Sequence, residues 1–354
     1  MRLEVAVARV KRAREAPAES SLYRTARILQ TPRVGSGDEG QGTRAATLGM
    51  QDPLATDDEV VAVVVVVRDR LSVFRACLDA LYSHTTRPFR CVVVVGGADE
   101  STRRGLAELA ARHGNLEVIE QGRPLSQAES RRLGLARVDV RRCVLLENDA
   151  IVDDHWLDPL LTCARSTGAA IVAPVVYWYR GLHAAGCSFE RIERGGRTVL
   201  RHSIEYTGIR QKRIDYAETH CMLVDLAQVT LEELCDDVEP SDVDLGLAMQ
   251  MRGRAVMLEP RSRVTYTAPP PIEARDLAHS LARWDLEAWR QRHARFVAKW
   301  HLEYDASAKH ASYRRQQLRL AVARQSPAMS NLIARAMNEA TTVMTRWRRR
   351  RVFG

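Results

Sequence analysis

Between Cys143 and Leu157 the sequence reads CVLLENDAIVDDHWL. The apolar start of this stretch predicts a buried strand, which runs directly into two acids, Glu147 and Asp149, spaced one residue apart. In an open α/β sheet, ligands lie beyond the carboxyl ends of the strands. We therefore expect both carboxylates, with Asn148 between them, to face a cleft in which a metal-bridged phosphate could be held.

Strands and helices alternate on both sides of this stretch. The longest apolar run, residues 60–67, is almost entirely valine, and continuous valine runs between helices indicate parallel strands covered on both faces. Buried strands are predicted at residues 60–67, 89–95, 116–119 and 169–176 and in a strand ending at 147, with helices at 71–84, 101–112, 126–136 and 156–164. This order predicts an α/β fold with a doubly wound, mostly parallel sheet and helices on both faces.

The later sequence is less regular. Residues 177–216 are rich in glycine, arginine and aromatic residues and are interpreted as an insertion or hairpin region that lines a site. A short strand at 219–224, a helix at 241–252 and a strand at 255–258, ending at Pro260, are predicted to follow. After the three prolines at 269–271, residues 272–300 have helical spacing, with an apolar face that includes Trp284, Trp289 and Trp300.

Charge and cysteine content limit the classes of partner and compartment. The formal net charge is +9, and residues 311–354 contain ten arginines against the single acid Glu339, so the rest of the chain is neutral overall. This end suits an anionic membrane surface, whereas nucleic acid ranks last as a partner because the neutral body predicts no basic groove. The seven cysteines form no CxxC pair and no apolar stretch reaches about 18 residues. We therefore expect a reduced, cytoplasmic protein, either free or peripheral on the inner face of the membrane.

Four landmarks occur in order along residues 59–268. They are VVVVVRDRLSVFRACLDAL at 63–81, VVVVGGADEST at 92–102, ENDA at 147–150 and SDVDL at 241–245. Together they resemble the family 2-type glycosyltransferases of GT-A fold, in which Glu147 to Asp149 would stand at the DxD motif and Ser241-Asp242 at the acidic ED pair. The resemblance implies a hexosyltransferase-like, inverting enzyme with a nucleotide-sugar donor and a glycan or lipid-linked acceptor.

The resemblance gives the acids specific roles. Asp242 would be the general base that accepts the proton of the acceptor hydroxyl. Glu147 and Asp149 would hold Mg²⁺ or Mn²⁺ together with the diphosphate of the donor. The family's late histidine, often a metal ligand, aligns near Tyr266, which leaves metal binding through Asp149 and phosphates alone as an alternative. Each role has a structural alternative. The acid pair could belong to a solvated loop, and Asp242 could be an acid in the first turn of a helix, where the helix dipole favours it.

On the donor side, the candidate residues are Arg68, Gly96, Gly97, Asp99 and Arg131. Arg68 pairs either with a diphosphate or with a neighbouring acid, and the two glycines permit close approach of the backbone to a ligand. The family reads the nucleobase with an acid at the end of the second strand, where this chain has Val95. Base recognition would therefore fall to Asp99 or to backbone groups. One of Arg131 and Arg132 would face phosphate, or both would lie at the surface.

On the acceptor side, the candidates are Glu218, His220 and Trp156. Glu218 and His220 alternate with Thr219 and Cys221 along a predicted strand, so their side chains are expected on one face. They would hold acceptor or leaving-group oxygens, or form a buried pair of acid and histidine. Trp156 matches a tryptophan that follows the DxD motif of the family and is a candidate either for acceptor contact or for packing at a helix start.

The expected organisation has four parts. Residues 1–56 form a disordered or weakly helical leader, 57–268 a GT-A glycosyltransferase domain, 269–310 a helical extension that packs on the domain, and 311–354 a basic amphipathic tail. The alternative function is that of a non-catalytic GT-A-like protein that binds a nucleotide sugar or a glycan. It is suggested by Val95 and Tyr266, which stand where the family has an acid and a histidine.

Overall fold

The structure is a computed structural model that describes residues 60–178, 181–267, 272–304, 307–326 and 328–332. The chain divides into two compact units, Met1–Asp52 and Pro53–Gly354, and the described residues all lie in the second. The predicted leader, residues 1–56, and residues 333–354 of the predicted tail lie outside the described residues.

A central sheet organises the protein. Four parallel strands in the order β3, β2, β1, β4 form one half: β1 (Val61–Val66), β2 (Phe89–Gly96), β3 (Leu116–Gln121) and β4 (Arg142–Glu147). Beyond β4 come β11 (Cys221–Asp225), which is antiparallel to both neighbours, and then β6 (Ile171–Trp178) and β12 (Val256–Tyr266), which are parallel to each other. Three short strands extend this side: β5 (Ala150–Val152), β7 (Gly181–Ala184) and β10 (Lys212–Ile214).

Helices cover both faces of the sheet. One face carries α1 (Phe74–His84), α2 (Glu100–Arg112) and α4 (Leu157–Thr167), and the other carries α3 (Gln127–Leu135), α5 (Leu231–Leu234) and α6 (Ser241–Met251). Successive residues of β1 alternate between these two cores, with Val63 and Val65 in one and Val64 and Val66 in the other. Burial on both faces explains the unbroken valine run, and the predicted α/β class with a mostly parallel sheet is confirmed.

The region after β7 contains a hairpin, as predicted. Strands β8 (Cys187–Arg194) and β9 (Arg197–Ile204) are antiparallel and joined by Gly195 and Gly196, whose φ angles of 60° and 73° suit a two-residue turn. A third strand, β13 (Glu303–Tyr304), pairs with β9. Buried residues of the hairpin share a core with α6 and with Phe296 of the C-terminal helix α8 (Leu286–Trp300). The hairpin and the C-terminal helices are therefore packed together.

Three elements differ from the predictions. The strand predicted to end at Pro260 continues to Tyr266, because a bulge between Glu259 and Arg263 accommodates the proline. The single helix predicted over residues 272–300 is divided into α7 (Leu277–Arg283) and α8, because the Asp285 side chain caps α8 by accepting the Ala288 N–H at 2.7 Å. The short strand β5, which the sequence did not predict, follows Asp149.

The helix α9 (Ser307–Gln325) crosses the predicted boundary at residue 310. Its Tyr313 is buried, with ring centroids 5.0 Å from Trp284 and 5.4 Å from Trp289, so this part of the predicted tail packs on α7 and α8. Within the described residues, no helix combines the length and the apolar composition needed to cross a membrane.

Candidate active site

The two predicted acids lie together at the carboxyl end of β4. Glu147 ends the strand and Asp149 follows it, and each side chain is only 1% exposed. Thr219 Oγ1 donates a hydrogen bond to Glu147 Oε1 over 2.7 Å, and the Gln127 amide donates to the same oxygen. Because β1 and β11 flank β4, the segments after β1 and before β11 supply the other residues around the acids.

Arg68 and His220 neutralise this acid pair. Arg68 Nη1 lies 3.2 Å from Glu147 Oε2 and 3.6 Å from Asp149 Oδ2, and His220 Nδ1 lies 3.0 Å from Glu147 Oε2. Burial disfavours a charged carboxylate, but Arg68 and His220 hold the pKa of Glu147 well below its usual range. Burial and Arg68 disfavour a charged imidazole, but the two carboxylates raise the pKa of His220 to about 9.

Asn148, predicted to contact the donor, instead holds the loop after β1. Its Oδ1 accepts the Arg68 N–H at 3.0 Å, and its Nδ2 donates to the Arg70 carbonyl at 2.6 Å. The Asn148 N–H donates to the carbonyl of Val66. The side chain is fully buried, so its role is to position Arg68 beside the acids.

Asp149 has the character of a cation ligand. Neither of its carboxylate oxygens accepts a hydrogen bond from the described residues, and the nearest cationic groups, on Arg68, His220 and Arg70, lie 3.6, 3.8 and 3.9 Å away. Buried carboxylate oxygens usually have a donor. Glu147, Asp149 and His220 also form a group whose ligand atoms all lie within 4.8 Å of one another. These residues therefore fit a divalent ion.

Tyr266 forms a wall beside His220. The two rings stack with centroids 4.4 Å apart, and the guanidinium carbon of Arg68 lies 5.2 Å from the centre of the tyrosine ring. Burial raises the pKa of Tyr266 to about 12, so the phenol is neutral near pH 7. The neutral phenol supplies an aromatic surface rather than a charged ligand.

A cavity of about 130 Å³, here called the smaller cavity, opens beside Arg68. Three guanidinium N–H groups in its wall are buried without a hydrogen-bond acceptor among the described residues: Arg131 Nε and Nη2 and Arg283 Nε. Arg131 is only 4% exposed, and burial lowers its pKa. Three acids line the same wall and each has a cationic partner: Asp236 pairs with Lys299, Asp237 with Arg295 and Glu239 with Arg283 Nη1 at 3.6 Å. The smaller cavity therefore suits an anion.

A cavity of about 350 Å³, here called the larger cavity, lies on the other side of Arg68. Its lining includes His183, Glu218, His220, Asp242, Tyr266 and, from the C-terminal helices, Trp284, Ser312 and Gln316. Asp242 occupies the first turn of α6, where its Oδ1 accepts the Val243 N–H at 3.0 Å. Asp244 instead pairs with α8, since it accepts the Trp300 Nε1–H at 2.7 Å and lies 2.8 Å from Lys299 Nζ. Of the two acids, only Asp242 faces the cavity.

Three residues predicted on the donor side have structural tasks. A Cβ atom on Gly96 would lie 2.2 Å from the Arg123 carbonyl oxygen, and Gly97 has a φ of +58°. Asp99 is the N-cap of α2, because its Oδ1 accepts the Thr102 N–H at 2.9 Å. None of the three lines the smaller or the larger cavity. The glycines serve the packing of the loop at 123–125, and the predicted contacts of these residues with a donor are corrected accordingly.

Of the three residues predicted on the acceptor side, two line the larger cavity and the third is buried in the core. Glu218 and His220 both line the larger cavity. Thr219 reaches Glu147 as well, because residues 219 and 220 precede β11 and lack the strict alternation of a strand. Trp156 is fully buried and its Nε1–H donates to Thr85 Oγ1 at 3.0 Å, so it packs and does not contact an acceptor.

Five further residues of the site were missed by sequence reasoning: Arg70, Gln127, His183, His279 and Arg283. His183 lies in the region 177–216, whose composition predicted a site lining but no particular residue. The segment that contains His279 and Arg283 shows only the apolar spacing of a helix that packs on the domain, which predicts no ligand contact. The structure brings these residues to the acids over long sequence separations, for which spacing gives no signal.

A family model matches part of the chain and covers three of the four sequence landmarks, those at 63–81, 92–102 and 147–150. Residues 62–205 match the family model described as Glycosyl transferase family 2, and no curated protein has a significant match to the chain. Similar solved structures include GalNAc-T7 with UDP, GalNAc and Mn²⁺, which is 13% identical with a TM-score of 0.47, and the match covers 61% of this chain and 46% of that one. This chain thus spans less than half the length of GalNAc-T7.

Another similar structure is the mannosyltransferase PcManGT from Pyrobaculum calidifontis in complex with GDP-Man and Mn²⁺. It is 14% identical with a TM-score of 0.45, and the match covers 79% of this chain and 75% of that one. The family match contains β1 to β9 and both buried acids. The likeness of this chain to glycosyl transferase family 2 thus rests on residues 62–205.

Proposed function

We propose that this protein transfers a sugar from a nucleoside-diphosphate sugar to a hydroxyl of a glycan or lipid-linked acceptor, with inversion at the anomeric carbon. The observation that carries the proposal is the meeting of two unlike cavities at Arg68. The smaller has buried N–H atoms of Arg131 and Arg283 without acceptors among the described residues, which suit a diphosphate, and the larger has the carboxylate of Asp242, which suits a hydroxyl. The family match over residues 62–205 supports the same reaction class.

On the donor side, Arg131 and Arg283 would contact the diphosphate oxygens. Negative charge grows on the diphosphate as its bond to the sugar breaks. Cationic groups that are already fixed in a buried wall stabilise that charge with little reorganisation. The buried N–H groups without acceptors on both arginines support this assignment.

On the acceptor side, Asp242 would be the general base. The Val243 N–H holds its carboxylate at the start of α6. The acceptor oxygen would form the new bond to the anomeric carbon while its proton passes to Asp242. The electron pair of the broken bond leaves with the diphosphate. Because the attacking oxygen and the departing diphosphate lie on opposite sides of the carbon, the configuration inverts.

Glu147 and Asp149 would hold Mg²⁺ or Mn²⁺. Such an ion, when bound, supplies positive charge to the leaving diphosphate. The protein orients and charges Glu147 for this role. Thr219 and Gln127 fix its position by hydrogen bonds, and Arg68 favours its charged form.

The test is a screen of nucleoside-diphosphate sugars with the full-length protein, with and without Mn²⁺. Donor binding is followed by thermal shift, release of nucleoside diphosphate by a coupled assay, and the anomeric configuration of the product by NMR. We expect one donor to be turned over with inversion. A product that retains the configuration would contradict the role given to Asp242.

One observation favours a non-catalytic binding protein as the second candidate. Arg68 and His220 already neutralise Glu147 and Asp149, so cations of the chain itself stand beside the acids. Calorimetry that shows tight nucleotide-sugar binding, together with no release of nucleoside diphosphate with any acceptor, would support this candidate over the enzyme.

We also infer that the C-terminal end contacts an anionic membrane surface. Residues 333–354 contain six arginines against the single acid Glu339, and they follow Leu332, which is 62% exposed. Basic residues beside exposed apolar ones favour anionic bilayers. Truncation after residue 332 removes the arginine-rich end and retains α9. In flotation with phosphatidylserine vesicles, we expect the full chain to be recovered better than the truncated one, and equal recovery would contradict the inference.

A further inference from the structure

A second group of metal-ligand side chains lies in the larger cavity. His183 is in β7, whereas Glu218 and His220 immediately precede β11. His183 Nε2 lies 3.4 Å from Glu218 Oε1, and the ligand atoms of all three residues lie within 4.8 Å of one another. Two imidazoles and a carboxylate are thus brought together from two separate parts of the chain.

The three side chains are largely buried, and one of their oxygen atoms lacks a hydrogen-bond donor among the described residues. The side chains of Glu218 and His220 are 12% and 5% exposed, and that of His183 is 25% exposed. Glu218 Oε2 is buried and accepts no hydrogen bond from the described residues. A buried carboxylate oxygen without a donor usually has a partner that the protein chain does not supply.

The orientation of the two imidazoles is fixed by a shared neighbour. The Tyr266 ring lies 4.4 Å from the His220 ring and 5.7 Å from the His183 ring, centre to centre. The two imidazoles themselves are nearly perpendicular, at 72°, with centroids 5.8 Å apart. Rings that are held before an ion arrives reduce the entropy lost on coordination.

We propose that His183, Glu218 and His220 bind a divalent first-row transition-metal ion, as a site separate from the pair Glu147 and Asp149. Imidazole ligands suit Zn²⁺ and ions such as Ni²⁺ and Fe²⁺, whereas Mg²⁺ and Mn²⁺ prefer oxygen ligands. Three protein ligands leave at least one coordination position open. Because all three residues line the larger cavity, that position faces it and can take an oxygen atom of a substrate.

The charges around the group favour a divalent cation. Three carboxylates, those of Glu147, Asp149 and Glu218, lie in the surroundings of His220, and Arg68 is the permanently charged cation in contact with that histidine. His220 offsets part of this charge in the metal-free protein, and a divalent ion would take over that charge balance once the imidazole coordinates in its neutral form.

The two groups of ligands can be separated by substitution. His220 belongs to both, but His183 and Glu218 belong only to the proposed site, and Glu147 and Asp149 belong only to the other. His183→Gln and Glu218→Gln therefore remove the proposed site alone, and Asp149→Asn affects the other alone. His155→Asn is a matched control, because it removes an exposed histidine at a left-handed position where asparagine is well tolerated.

The experiment is titration of the metal-free, tag-free, full-length protein with Co²⁺ and Zn²⁺. The visible absorption of Co²⁺ reports its ligand geometry, calorimetry gives the affinity for Zn²⁺, and circular dichroism checks the fold of each variant. We expect one tight site in the wild type and in His155→Asn and Asp149→Asn. In His183→Gln and Glu218→Gln, we expect the Zn²⁺ affinity to fall by at least about 10–100-fold, as it does even for weaker perturbations of metal sites.

The proposal is overturned if folded His183→Gln and Glu218→Gln bind Zn²⁺ and Co²⁺ as the wild type does. It is also overturned if Asp149→Asn abolishes the binding while His183→Gln keeps it. Glu218→Gln decides the question if His183→Gln fails to fold. The readout is metal binding, so the result is distinguishable from success or failure of the proposed sugar transfer.

Discussion

The smaller and the larger cavity meet at Arg68, but their walls differ in chemistry. The smaller is lined by Arg131 and Arg283, whose guanidinium groups include buried N–H donors that lack acceptors among the described residues. The larger is lined mainly by carboxylates, imidazoles and aromatic rings, among them those of Asp242 and His183, and it shares Arg68 and Arg283 with the smaller. The wall that contains Arg131 suits an anion, and the wall that contains Asp242 and His183 suits a cation or a hydroxyl. Two shared arginines thus lie between two ends of one site that differ in side-chain chemistry.

The largest effect is expected from Asp242→Asn, which changes only the larger cavity. We expect kcat to fall about 10²–10⁴-fold, the usual contribution of a general base, with the affinity for nucleoside diphosphate unchanged. Steady-state kinetics and calorimetry measure the two quantities. Glu232→Gln, an exposed acid in the first turn of α5, is the control and should behave as the wild type does. Turnover of Asp242→Asn close to that of the wild type would refute the assignment.

The next effect concerns the smaller cavity. Arg131→Met should weaken nucleoside-diphosphate binding by about 1.5–3 kcal/mol, the range for a hydrogen bond to a charged group. The free protein should be no less stable, because methionine removes a buried charge that has incomplete partners. Calorimetry and urea denaturation test both parts. Arg132→Met, at the exposed neighbouring position, should leave the affinity unchanged. An equal loss in both variants would show that Arg131 has no special role.

Gly96→Ala tests whether this glycine serves packing rather than a ligand. The added methyl group would lie 2.2 Å from the Arg123 carbonyl, and overpacking of this kind costs about 1–3 kcal/mol of unfolding free energy. Gly105→Ala, inside α2 with open space around it, should instead stabilise the protein by about 0.5–1 kcal/mol. Urea denaturation compares the two variants. A stable Gly96→Ala protein with weakened nucleotide binding would point back to a ligand role.

The smallest effect is expected from Tyr266→Phe. The ring that stacks on His220 is kept, so metal affinity and turnover should not change measurably. Tyr266→Ala should lose the stacking, which is worth about 0.5–1.5 kcal/mol. Metal titration and thermal melts compare the two variants. A large loss of metal affinity in Tyr266→Phe would show that the phenol oxygen is a ligand after all.

The sheet was predictable because its strands are buried on both faces. Burial on both faces favours unbroken apolar runs rich in valine, such as residues 61–66, and a run of this kind between helices indicates a buried parallel strand. The end of β12 was not predictable in the same way, because a proline usually stops a strand and only the bulge at Glu259 to Arg263 lets this one continue. Likewise, the helix break at Asp285 depends on a cap that short-range spacing did not reveal.

The site was predictable in part, for a different reason. Glu147 and Asp149 follow a buried strand directly, so their position at the sheet edge follows from local sequence. Asn148 and Asp99 were misassigned, because a polar side chain that binds a ligand and one that caps backbone N–H groups have the same chemistry in sequence. His183 and Arg283 depend on tertiary packing, and the local sequence carries no record of it.

The most direct test of the central claim is a crystal structure of the full-length protein with its donor and Mn²⁺. The account predicts the diphosphate in the smaller cavity, within hydrogen-bonding distance of Arg131, with the ion between the diphosphate and Asp149. A diphosphate bound away from Arg131, or an ion bound away from both Glu147 and Asp149, would contradict it.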